Sequence, residues 1–87
     1  MSTRAWYQYN DVQSGQFSPA NYFYVTNLPV FCGLTGSNIC AVLGIYVSSS
    51  VHPATFTARL NSYIVNALAF ASAQPATGKI FVYVKNL

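Results

Sequence analysis

Few side chains in this sequence can do chemistry, and their types and spacing argue against a reaction. Asp11 is the only acidic side chain and His52 the only histidine. A mechanism built on two carboxylates therefore has no second carboxylate side chain to use. A Ser-His-Asp triad would have to unite His52 and Asp11 with a serine, yet no Gly-x-Ser-x-Gly elbow occurs. Oxygen-ligated calcium or magnesium needs several acids. Structural zinc takes four Cys or His ligands, and the chain has only Cys32, Cys40 and His52. Gly33 and Gly36 lack the lysine that follows in a phosphate loop. The expectation is a protein with no catalytic residue, metal, cofactor or small-molecule substrate. His52 reads as a helix-entry residue just before Pro53.

Cys32 and Cys40 bracket Gly33-Leu34-Thr35-Gly36-Ser37-Asn38-Ile39, whose glycines, serine and asparagine read as a turn between two extended segments. The pair is read as a disulfide, worth roughly 2.5 kcal/mol by loop entropy. Two free thiols in a reducing compartment are the alternative. The spacing is not the Cys-x-x-Cys of a redox pair.

The elements that would position these residues are aromatic and β-branched. Residues 5–9 and 22–26, then 41–47 and 80–84, suit strands. Gly44 marks a bulge or a close backbone approach. Pro53 opens a stripe at helical spacing: Phe56, Leu60, Tyr63, Ile64, Ala67, Phe70 and Ala71. A helix is expected over about 54–73, ending before Pro75. The fold expected is α+β, one domain over 1–87. It has a small, largely antiparallel sheet of three to four strands with the helix on one face and one disulfide.

Charge is scarce. Arg4, Asp11, Arg59, Lys79 and Lys85 are the only charged side chains, 6% of the chain, while 53% is hydrophobic and the net charge is +3. Four scattered bases make no phosphate-binding patch, so no nucleic acid is expected. The most apolar helical stretch, 56–73, is interrupted by Arg59, Asn61 and Asn66, so no membrane span is expected. The opening residues, Met1-Ser2-Thr3-Arg4, do not read as an export signal.

Alternate strand residues point to opposite faces. Both faces of the expected strands are apolar, whereas a half-wetted antiparallel sheet alternates apolar with polar. One helix covers one face. The helix back, with Ala58, Val65 and Ala69, lacks the usual charges. Trp6, Tyr7, Phe23, Val65, Phe81 and Tyr83 are therefore the expected self-association residues, with other copies of the chain as partner. A monomer with a neutral tyrosine-rich surface is the plainer alternative.

The order of motifs resembles a family of short exported two-cysteine proteins of Bacteroidota. The resemblance rests on Trp6-Tyr7-x-Tyr9-Asn10, Ser18-Pro19-Ala20-Asn21-Tyr22, Cys32-Gly33 and Ile39-Cys40-Ala41-Val42. It continues through Leu60-Asn61-Ser62-Tyr63-Ile64-x-x-Ala67-Leu68 and the terminal Val82-Tyr83-Val84-Lys85-Asn86. It implies export and an oxidised cysteine pair, and supplies no catalytic residue. The expectation is a non-enzymatic, extracellular or cell-surface structural protein that self-assembles, as a filament subunit or closed oligomer. A virion structural or decoration protein and a monomeric secreted binding module are the alternatives.

Overall fold

The computed structural model describes residues 3–11, 15–75 and 77–86. Four strands form one antiparallel sheet in the order β2-β1-β3-β4, where β1 is Arg4–Tyr9, β2 Tyr22–Val25, β3 Asn38–Ile45 and β4 Val82–Lys85. Helix α1, Ala58–Phe70, lies on one face. The α+β class and the disulfide expected from the sequence are both present.

Register explains the core. Tyr7 pairs with Tyr24 and Val42, Tyr9 with Tyr22, and Val42 also with Val82. These residues share the helix-side face. There Tyr7, Tyr9, Tyr22, Ile39, Val42, Val82 and Val84 bury against Leu60, Ile64 and Ala67. Central strand β3 is buried on both faces over most of its length, which is why it reads as a near-continuous apolar run.

The helix is shorter than its periodicity suggests. Thr57, not Pro53, caps it: the Leu60 N–H donates to Thr57 Oγ1 at 3.1 Å. Phe56 keeps the helical spacing and is buried, but it precedes the helix. Phe70 is 69% exposed, so the apolar stripe ends at Ala67. Ala71 turns into the left-handed region and ends the helix.

Gly44 is a close-approach site, not a bulge. A side chain there would press on Pro53 and the Tyr7 ring. The bulge falls instead at Cys40, between the Ile39–Val84 and Ala41–Tyr83 pairs. Cys40 is fully buried, and its disulfide ties the preceding loop to β3. That loop also crosses close to β4. Gly36, at φ +154°, lies so near the Lys85 backbone that a β-carbon would overlap it.

Two buried tyrosines hold the segment before β2. The Gly15 N–H donates to Tyr9 Oη at 3.1 Å, and the Tyr22 hydroxyl donates to the Gln16 carbonyl at 2.6 Å. Burial, with a smaller contribution from Tyr9, holds the Tyr22 hydroxyl far above the ordinary tyrosine pKa. Tyr7 is also raised by burial. The Val47 backbone opposes that shift, and Tyr46 and Tyr24 add to it.

Candidate self-association surface

A sheet can recruit another chain at its edges or on a bare face. Both outer strands here have backbone partners beyond the sheet. On β4, Gly33 exchanges two backbone hydrogen bonds with Val84, at 2.8 and 3.1 Å, and Gln74 bridges to Val82. On β2, the Tyr24 N–H donates to the Val51 carbonyl at 2.7 Å. His52 Nδ1 lies 2.9 Å from the Tyr22 carbonyl, which requires its proton on Nδ1. The His52 ring also meets Phe23 edge-on. His52 thus closes a sheet edge, where the sequence had suggested a helix entry. Covered edges resist strand addition.

The face opposite the helix is different. Trp6 pairs with Val25 and Leu43, Gln8 with Phe23 and Ala41, Arg4 with Ile45, and Ala41 with Tyr83. All these residues share that face. Among the described residues no helix or strand lies over it. Trp6 and Tyr83 meet with ring centroids 5.4 Å apart, and Ala41 and Leu43 between them are buried. The rings therefore shelter the middle of β3 while staying half-exposed themselves. Phe23 is 42% exposed.

Charge on this face is confined to its ends. Arg4 sits over the Phe81 ring at 5.3 Å. At the other end Lys85 Nζ is 2.9 Å from Asp11 and 5.2 Å from the Phe31 ring centre. The only acidic side chain thus neutralises the lysine beside the face.

The expected contact residues fall into three places. Trp6, Phe23 and Tyr83 come together on the open sheet face. Val65, half-exposed, lies on the outer side of α1, across the molecule from that face. Its exposed helical neighbours are Ala58, Ser62, Asn66 and Ala69, and Arg59 is the only exposed charge on the helix. Phe81 is half-buried against Tyr63, 5.8 Å between ring centres. Tyr7 does not join any exposed surface. It is fully buried under the helix, because it shares a face with Ala5 and Tyr9 rather than with Trp6 and Gln8.

Sequence reasoning missed the loop before β3. Val30, Phe31 and Leu34 are among the most exposed large apolar residues. The Ala73 N–H donates to the Leu34 carbonyl at 2.8 Å, which fastens this loop beside the end of the helix. The disulfide explains how such a loop stays placed.

Among the described residues no cluster of His, Cys, Asp or Glu can hold a metal ion, and no helix is long and apolar enough to cross a membrane. The chain matches no family model, no curated protein and no solved structure.

Proposed function

We propose that this chain is a non-enzymatic structural protein of the cell exterior, of the exported two-cysteine kind, that assembles with copies of itself into a filament. One observation carries the reading: two nearly uncharged surfaces lie on opposite sides of the molecule. One is the sheet face of Trp6, Phe23 and Tyr83; the other is the back of α1 around Val65. The covered sheet edges leave these broad faces as the route for contact. When the sheet face of one copy meets the helix back of the next, the contact is head-to-tail and does not close on itself. With so few ions, like-charge repulsion between stacked copies is weak. The disulfide supports an oxidising location.

Electron microscopy of concentrated, non-reduced protein tests the reading. Filaments with a regular axial repeat are expected. A field of isolated particles at every concentration would refute it.

A second reading, a secreted binding module, draws on one groove. Tyr24 and Tyr46, both exposed and 5.8 Å apart between ring centres, line it with Ser48, Ser49 and Ser50. Uncharged rings beside hydroxyls suit a neutral sugar. Glycan-array binding lost on Tyr46→Ala, by a protein that stays monomeric, would favour this reading over assembly.

A further inference from the structure

Both arginines of the sequence line one small cavity. Arg4 comes from β1 and Arg59 from the first turn of α1, 55 positions later. They meet around a space of about 60 Å³ whose wall also includes Tyr63 and Phe81. The Arg4 guanidinium rests over the Phe81 ring. No carboxylate lines the space. The only acidic side chain, Asp11, is engaged by Lys85. Nothing acidic among the described residues therefore compensates either guanidinium.

We propose that this cavity is a binding site for a single oxyanion, of the phosphate, sulfate or carboxylate type. Guanidinium groups present planar, paired donors that match such oxygens two at a time, which an ammonium does not. Admitting one water takes roughly 10–15 Å³, so the cavity takes a group of a few heavy atoms and no extended ligand. The ring beneath Arg4 limits its side-chain freedom before the anion arrives. This inference does not rest on the assembly reading, because it uses neither the Phe23 region nor Val65.

The chain has only two arginines, so a nitrogen–proton correlation spectrum contains two Arg Nε–Hε signals, one for each side of the site. The probe is inorganic phosphate, titrated at constant ionic strength against chloride. Both signals are expected to shift along saturable curves with one shared dissociation constant. Arg59→Gln and, separately, Arg4→Lys are expected to weaken binding about tenfold or more, the loss of a charge-assisted hydrogen bond. Lys79→Gln should leave it unchanged. Melting curves of the variants confirm that each remains folded; Arg59 is exposed, so its replacement spares the core. Two different saturation curves, a linear drift, or unchanged affinity in folded Arg59→Gln would overturn the proposal.

Discussion

Replacing both cysteines, Cys32→Ala with Cys40→Ala, perturbs more than the bond between them. The two positions are 8 apart in sequence, and the chain-entropy argument gives roughly 2.5 kcal/mol for a ring of that size. Unfolding entropy near 60 °C is about 2.1 cal/mol/K per residue. For 87 residues that is about 0.18 kcal/mol/K, so the melting temperature should fall by roughly 14 °C. Loss of the buried Cys40 sulfur adds to the fall. The structural effect should be local first. The loop carrying Gly33 covers the outer edge of β4, so its release should speed hydrogen exchange at Gly33 and Val84 before the core amides respond. The bared edge should also make the variant prone to disordered aggregation. The assay is a melt followed by circular dichroism at low protein concentration, with reduced wild-type protein as the control. Reduced wild type should melt between the oxidised protein and the double variant, because it keeps the buried Cys40 sulfur. A double variant that melts within about 4 °C of the oxidised protein would refute the reasoning.

Other consequences follow from the core and its tyrosines. Tyr22 and Tyr7 both have raised folded pKa values, while the unfolded chain ionises near pH 10. Their protonated forms give stability that is fully present below about pH 10. It is lost as pH rises above that, at up to about 1.4 kcal/mol per pH unit for each tyrosine. In an alkaline titration read at 295 nm, Tyr22 should ionise only together with loss of the folded signal; its free titration in the folded state would contradict this. Ile64 is fully buried and Val65 half-exposed, so Ile64→Ala should cost about 2–5 kcal/mol. Val65→Ala should change stability by no more than about 0.5 kcal/mol in urea unfolding. Gly36→Ala should destabilise by more than an ordinary loop substitution, because its β-carbon meets the Lys85 backbone. An unchanged midpoint would show that the loop can shift away.

The strands were legible because aromatic and β-branched runs stand between proline, glycine and asparagine breaks. The helix was legible by its stripe, but its start was not. Phe56 sits in phase with Leu60 and Ile64 although it lies before the helix, so periodicity alone extended the helix past the Thr57 cap. The fate of Tyr7 was present in the alternation. Arg4 and Gln8 share a face with Trp6, and that polar pair marks it as the face away from the core. The edge closures had no sequence signal, since isolated contacts from loop residues Gly33, Val51, His52 and Gln74 follow no period. Likewise nothing in the chain order links Arg4 with Arg59. Only the packing of α1 beside the end of β1 and Phe81 brings them together.

Head-to-tail assembly has a signature that other contacts cannot imitate. Phe23→Lys charges the sheet face and Val65→Lys charges the helix back, and both positions are exposed enough to accept the change. Sedimentation equilibrium of each variant alone should give the 9.5 kDa protomer. An equal mixture should give a dimer and nothing larger, since each variant keeps the surface that the other lacks. Wild-type mass should grow with concentration without reaching a limit. A wild type that stays at the protomer mass throughout, or a Val65→Lys variant that associates by itself, would contradict the account.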